Sequence, residues 1–181
     1  LTLYSFSTEN WGRPQDEIEA LMSLLVQKLV TEVSELIEKG VSLRHFGRRD
    51  RFTPQVLDAL DKAVGLTSGG ERLTLSLALD YSGRSELLHA IECLVQDGVD
   101  VTQEHVEQRL FTSGMPDPEL LIRTAGEMRI SNFLLWQIAY SEIYVTDQCW
   151  PDFDGESLDV AIAEFANRKR VFDILDLGSR K

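Results

Sequence analysis

The run from Leu73 to Tyr81 constrains the fold of this chain most strongly. After Thr74 it is nearly continuous in apolar character, which is typical of a strand buried on both faces of a parallel sheet. Alternating or apolar runs over 1–6, 41–46, 120–123 and 142–146 predict further strands. Helical apolar spacing lies between most of these runs. The sequence therefore predicts an α/β fold with a mostly parallel central sheet flanked by helices.

Helix-start and helix-end residues mark the predicted helices. Pro14 suits the first turn of a helix whose apolar face continues to Ile37, and Gly40 would end it. Thr53 is placed to cap a second helix that starts at Pro54. Further helices are predicted over 85–95, 102–111, 131–140 and 157–175. No internal repeat or linker interrupts the pattern, so residues 1–181 are predicted to form a single domain.

The net charge excludes some functions. The chain has 18 basic and 30 acidic residues, a formal net charge of −12. A surface this acidic argues against nonspecific nucleic-acid binding and against long-range attraction of anionic substrates, so any phosphate site must be local. No apolar run approaches the roughly 18 residues of a membrane span, and no signal-peptide pattern is visible. These patterns predict a cytoplasmic protein.

The first candidate site is the polar cluster from Phe6 to Pro14, which follows a predicted strand and precedes a helix. Ligands of parallel α/β sheets bind at the carboxyl ends of strands. The cluster combines hydroxyls, an amide, a cation and two aromatic rings, a mixture that suits a diphosphate joined to an apolar tail. A capped strand-to-helix turn with Trp11 packed on the core explains the same residues, and composition alone favours this plainer interpretation.

The second candidate site is the stretch 123–132, which contains Arg123, Arg129 and Ser131 just after a short predicted strand. The forked donors of arginine fit phosphate oxygens, and the helix predicted to start at Ser131 would add free N–H groups. The two arginines could equally pair with neighbouring acids, and the residues alone do not decide between these interpretations.

Other motifs add little. Arg84, at the end of the strand 73–81, fits a structural ion pair better than a phosphate contact. The sequence contains no nucleotide P-loop, no dinucleotide glycine fingerprint and no nucleophile elbow. Its histidines lack metal-ligand spacing, and the aspartate-rich motifs of trans-type prenyl synthases are absent.

Three stretches resemble the cis-prenyltransferases of the undecaprenyl diphosphate synthase family. They are LYSFSTENWGRP (3–14), LSLALDYSGR (75–84) and MPDPELLIRTAGEMRISNFLLWQIAYSEIYVTDQCWPDF (115–153), and the resemblance runs from Leu1 to about Phe172. It implies Mg2+-dependent addition of isopentenyl diphosphate, in cis, to an allylic diphosphate such as farnesyl diphosphate. It also implies a hydrophobic tunnel, a dimer that is either a homodimer or a heterodimer, and peripheral membrane contact.

The resemblance implies roles for individual residues. Arg123, Arg129 and Ser131 would hold the head group of isopentenyl diphosphate, and Glu142 would be linked to that substrate and to the metal. The other implied residues lie near the first strand: Asn10, Trp11 and Ser7 as catalytic residues, Phe6 and Ser7 beside the allylic substrate, Arg13 and Glu17 as support for the loop, and Ser5 near the allylic tail.

Three departures from the family pattern are expected to matter. The family's N-terminal segment, which carries a metal-binding aspartate, is not in this sequence, so little prenyl transfer is expected of these 181 residues alone. Arg170–Asp173 stands where many members have an Arg-x-Gly motif, and Asp80 and Ser82 replace the common Asn and Gly. The alternative function is a noncatalytic or regulatory subunit of a heteromeric cis-prenyltransferase.

Overall fold

The computed structural model describes residues 1–168, which form two compact units. Unit 1 comprises Leu1–Met115 and Asn132–Trp136, and unit 2 comprises Pro116–Ser131 and the described residues from Gln137 onwards. The stretch Arg170–Asp173 and the predicted end of the last helix lie outside the described residues. The prediction that the chain is a single domain stays a prediction.

Unit 1 is built on a parallel sheet of β1 (Thr2–Ser7), β2 (Val41–Phe46) and β3 (Leu73–Tyr81). The strand order is β1-β3-β2, so β3 is central and pairs in parallel with both neighbours. The last residues of β3, 78–81, are all buried, whereas Leu73 at its start is 43% exposed. The apolar pattern of β3 therefore predicted its place in the sheet correctly, and burial on both faces holds for its second half.

Helices cover this sheet. A 3-10 helix over Thr8–Gly12 follows β1 directly. The α-helices of unit 1 are α1 (Gln15–Thr31), α2 (Val33–Glu38), α3 (Pro54–Thr67), α4 (Gly83–Asp97) and α5 (Gln103–Glu107). The Thr53 side chain accepts a hydrogen bond from the backbone N–H of Val56, as the predicted cap requires.

The helix predicted between Pro14 and Gly40 is two helices, because the backbone leaves helical geometry at Glu32. This residue has φ −90° and ψ −12°, close to the bridge region that turns adopt. β-branched Thr31 and Val33 flank Glu32, and such residues lose side-chain freedom in a helix. Apolar spacing continues across the break, which is why the pattern did not reveal it.

The main core of unit 1 lies between the sheet and helices α1 and α3. Phe6 of β1, Leu43 of β2, Leu60 of α3 and Leu79 of β3 are all buried there. A satellite cluster joins α4 to the segment around α5. Because Phe6 is the last buried residue of β1, the polar residues that follow it are held at the carboxyl edge of the sheet.

Unit 2 contains a parallel pair of strands, β4 (Leu120–Arg123) and β5 (Glu142–Val145). A 3-10 helix over Trp150–Asp152 follows, and then α6 (Gly155–Asn167). The side chain of Asp154 caps α6 by accepting a hydrogen bond of 3.0 Å from the Ser157 N–H. The predictions of β4 and β5 are confirmed, and α6 begins slightly earlier than the apolar spacing indicated.

The helix predicted over 131–140 is wrong. Ser131, Asn132 and Leu134 have φ values of 49°, 61° and 46°, which lie in the left-handed region that a right-handed helix cannot contain. The stretch 131–140 forms turns without helical structure. Ser131 therefore does not stand at a helix N-terminus, and the helix-dipole argument for an anion site there is removed.

Candidate functional site

The turn after β1 is closed by its own polar side chains. The Asn10 carboxamide oxygen accepts a hydrogen bond of 2.8 Å from the Ser7 backbone N–H. The Asn10 carbonyl oxygen accepts another, of 3.1 Å, from the Arg13 N–H. The plainer interpretation of this cluster, a capped strand-to-helix turn, therefore describes the local structure, and it places both Ser7 and Asn10 half-buried at the sheet edge.

Trp11 lies over the core beside this turn. Its ring meets the Phe6 ring edge-on with centroids 5.2 Å apart, and the Phe52 ring lies at 6.0 Å. The guanidinium carbon of Arg51 stands 5.2 Å from the Trp11 ring centroid. Phe6 is only 4% exposed, so the structure places it in the packed core with Trp11 as the outer aromatic layer.

The Trp11 indole nitrogen is buried and has no hydrogen-bond partner within residues 1–168. Buried polar groups normally have partners, so each exception needs an explanation. A substrate or ordered water that accepts from this N–H would satisfy it.

Arg13 and Glu17 form an ion pair with each other. Their charged atoms are 3.6 Å apart, across one turn at the start of α1. Both side chains are about half exposed, at 51% and 52%. Exposed pairs of this kind contribute about 0–1 kcal/mol, so this contact can orient the loop but contributes little stability.

Asp80 and Arg51 form an ion pair at the same sheet edge that the sequence analysis did not identify. Asp80 is fully buried, and one of its carboxylate oxygens accepts a hydrogen bond of 2.9 Å from Arg51 Nε. The other oxygen is bound by the Arg51 terminal nitrogen and lies 3.4 Å from the Thr8 hydroxyl. An aspartate at the end of an otherwise apolar strand was the available signal, because buried carboxylates require partners.

Asn132 connects three backbone segments of unit 1. Its side-chain nitrogen donates to Glu9 at 2.8 Å, and its side-chain oxygen accepts from the Arg84 N–H at 2.9 Å. Its carbonyl oxygen accepts from the Gly83 N–H at 2.7 Å. Burial tends to raise the pKa of Glu9, but the hydrogen bond from Asn132 and further donors outweigh it, so this pKa lies below its usual value. Glu9 therefore stays ionised beside the candidate turn.

Arg123 and Arg129 of unit 2 converge on one carboxylate. Arg123 donates a hydrogen bond of 2.8 Å to Glu127, and Arg129 pairs with the same oxygen. The hydrogen bond from Arg123 does most to hold the pKa of Glu127 below its usual value. Burial opposes this lowering, and the Arg129 charge adds to it. Both arginines therefore pair with a neighbouring acid, which is one of the two interpretations that the sequence left open. The same geometry also aims two forked donors at one anionic oxygen, as a phosphate site requires.

The loop that carries these arginines has strained backbone at Ala125, whose φ is 64°, and strain of this kind clusters at ligand sites. Gly126 has the same φ, which glycine adopts without strain. The N–H groups of Ala125 and Gly126 donate to the carbonyl oxygens of Gln148 and Thr146 at 2.7 and 2.8 Å. The loop is therefore anchored to the segment that follows β5. Ser131, at the far end of this loop, is exposed.

Glu142 is engaged by a cation from its own unit. Arg168 donates to it at 3.1 Å, and also to the Ile143 carbonyl oxygen at 2.8 Å and to Glu164 at 2.7 Å. No group of three or more His, Cys, Asp or Glu side chains within residues 1–168 is arranged to hold a metal ion. The described residues therefore do not fit a magnesium site by themselves.

The described helices include none that is both long and apolar enough to cross a membrane.

Comparisons with known proteins place the chain among prenyltransferases. The family model described as undecaprenyl diphosphate synthase matches residues 1–173. The "Isoprenyl transferase" of Neisseria meningitidis serogroup B is 48% identical over 173 residues, which cover 95% of this chain and 70% of that protein. The "Isoprenyl transferase" of Listeria monocytogenes is 46% identical over 179 residues, covering 95% and 71%.

Two solved structures are similar over most of the chain. A probable undecaprenyl diphosphate synthase from Campylobacter jejuni has a TM-score of 0.87 at 32% identity and covers 96% of this chain and 82% of its own. Lavandulyl diphosphate synthase from Lavandula x intermedia, in complex with dimethylallyl diphosphate, has a TM-score of 0.89 at 33% identity, covering 96% and 78%. These structural neighbours confirm the predicted α/β fold with a parallel sheet.

Proposed function

Because the chain belongs to the undecaprenyl diphosphate synthase family of prenyltransferases, we propose that it is a cis-prenyltransferase. The reaction is the addition of isopentenyl diphosphate units, in cis, to an allylic diphosphate such as farnesyl diphosphate, which yields a polyprenyl diphosphate. The relatives bear the names of enzymes, which does not favour the alternative of a noncatalytic subunit.

The convergence of Arg123 and Arg129 on Glu127 is the observation that carries this proposal. The chain as a whole is strongly acidic, so an anionic substrate needs a local cluster of donors. We assign Arg123, Arg129 and Ser131 to the diphosphate of isopentenyl diphosphate. Two guanidinium groups that share one acceptor can move to two phosphate oxygens and orient this substrate for attack.

We assign Ser7, Asn10 and Trp11 to the reacting allylic substrate, with Phe6 behind them and with Arg13 and Glu17 supporting the turn. When the allylic diphosphate ionises, the leaving group gains negative charge, which cationic groups and hydrogen-bond donors stabilise. The allylic cation must be kept from water. The packed rings of Phe6 and Trp11 supply an apolar surface at the sheet edge.

We propose Mg2+ as the required ion, on the strength of the family alone. When bound, it would neutralise the departing diphosphate. Glu142 is the carboxylate assigned to it, but Glu142 is paired with Arg168 and belongs to no group of three or more His, Cys, Asp or Glu side chains arranged for a metal ion within residues 1–168. We therefore assign no step of the reaction to a metal held by these residues.

We also propose a homodimer located in the cytoplasm, with peripheral contact to the membrane that would receive a long polyprenyl product. Exposed apolar side chains support a self-association surface in unit 2: Tyr140 is 82% exposed and Ile143 49%. Multi-angle light scattering at micromolar concentration should give twice the monomer mass. A monomer mass alone would contradict the dimer.

Incorporation of radiolabelled isopentenyl diphosphate by the full-length protein tests the proposed reaction. With farnesyl diphosphate as primer, we expect product only when Mg2+ is present, and chromatography should resolve products longer than the primer. Chelation of Mg2+ by EDTA is the matched control. If the purified protein incorporates no label but binds a longer prenyltransferase chain, the noncatalytic subunit is the correct function.

A further inference from the structure

The pair of Arg51 and Asp80 links a loop to the end of a strand at the carboxyl edge of the sheet. Asp80 ends the apolar part of β3 and is fully buried, whereas the Arg51 side chain is 32% exposed and comes from the loop between β2 and α3. The fork of Arg51 spans both carboxylate oxygens. A buried carboxylate that meets a two-pronged guanidinium is held in one orientation, because any rotation breaks a charge-assisted bond.

The backbone fixes where Arg51 begins. Gly47 has φ 124°, and a Cβ at this position would lie 2.2 Å from the Leu79 carbonyl oxygen. The Arg48 N–H donates to the Asp80 carbonyl oxygen at 3.1 Å. The loop is therefore packed against β3 so closely that only glycine fits at residue 47. This packing fixes the backbone from which the Arg51 side chain extends over the sheet edge.

Both members of the pair reach the turn that carries the proposed catalytic residues. The guanidinium of Arg51 lies 5.2 Å from the Trp11 ring centroid, within the range of a cation–π contact. The carboxylate of Asp80 lies 3.4 Å from the Thr8 hydroxyl. One ion pair thus touches both ends of the 3-10 helix that follows β1.

We propose that Arg51 and Asp80 are positioning residues for prenyl transfer, which hold the turn 8–12 and set the orientation of Trp11 without touching substrate. The inference rests on the proposed function for its kinetic consequence only. In this proposal the ion pair of Arg51 and Asp80 lies outside the reacting site and keeps the reacting groups aligned.

Two conservative variants of the full-length protein test this proposal. Arg51→Lys keeps the charge but loses the fork, and Asp80→Asn keeps the shape and one acceptor. In both we expect kcat to fall about 10- to 100-fold, as a displaced reacting group requires, with no change in KM for isopentenyl diphosphate. Arg49→Met is the matched control, because Arg49 lies on the same loop but pairs with Asp61, at 2.7 Å, on the exposed surface.

Trp11 fluorescence gives a readout that does not depend on activity. In a background with Trp136 and Trp150 replaced by Phe, acrylamide quenching of Trp11 should increase in Arg51→Lys and Asp80→Asn but not in Arg49→Met. Unchanged quenching in both variants, or a kcat no lower than that of Arg49→Met, would overturn the proposal. A wild-type protein that transfers no prenyl group would refute the proposed function, while the quenching comparison would still decide the positioning role.

Discussion

Arg129→Ala separates a substrate-binding arginine from a structural one. Arg129 lies in unit 2, its side chain is 67% exposed, and it pairs with Glu127, which Arg123 also binds. The variant removes one of the two guanidinium groups that share this carboxylate. We expect it to weaken binding of isopentenyl diphosphate far more than binding of the allylic substrate, and to leave folding nearly unchanged.

The contacts of Arg129 determine the expected size of the change in unfolding free energy and of the change in substrate affinity. An exposed ion pair contributes about 0–1 kcal/mol to folding, and Glu127 keeps its hydrogen bond to Arg123 when Arg129 is removed. A charge-assisted contact to a diphosphate is worth about 1.5–3 kcal/mol, which corresponds to about a 10- to 150-fold increase in Kd. The affinity should therefore change by much more than the free energy of unfolding.

Isothermal titration of the full-length protein with each substrate measures the two affinities, and urea denaturation measures the unfolding free energy. Arg109→Ala is the matched control, because Arg109 forms an ion pair with Asp97 at 2.7 Å on unit 1 and has 40% of its side chain exposed. We expect the control to change neither Kd. Equal weakening of both substrates by Arg129→Ala, or no weakening of either, would refute the assignment.

Tyr81→Phe should lower the unfolding free energy by about 1.5–3 kcal/mol, because the Tyr81 hydroxyl donates a hydrogen bond of 2.6 Å to fully buried Glu86; an unchanged urea midpoint would contradict this. Burial holds the pKa of His45 below 6.5, so the folded state binds fewer protons and stability falls as pH drops below 6.5. His45→Gln should flatten that loss in pH-dependent denaturation, and an unchanged slope would argue against it. Ser5→Leu should shorten the products if Ser5, exposed beside a register shift in β1, borders the growing chain; product sizing that matches wild type would exclude this.

The candidate site was only partly accessible from the sequence. Arg123, Arg129, Asn10 and Trp11 were assigned from the resemblance of their local motifs to the family, and the structure shows the two arginines meeting on one acid four residues from Arg123. Asn132 was visible as part of a motif, but its bond to Glu9 spans 123 residues. No pattern within a short window predicts such a contact.

What the sequence by itself determined is the set of elements whose signals are local. Apolar patterns predicted each strand that the structure describes within residues 1–168, and Thr53 predicted the start of α3, because a cap needs only residues within one turn. The tertiary structure alone decided the left-handed turns at 131–134 and the pairing of Arg51 with Asp80 across 29 residues. The apolar residues of 131–140 fit a helix by spacing, but the bonds of Asn132 to Glu9 and to the start of α4 hold the backbone in left-handed geometry. Contacts that close long loops depend on the packing of the whole unit. The entropy lost on closing the loop and the free energy gained from the contact are therefore not visible in any local sequence pattern.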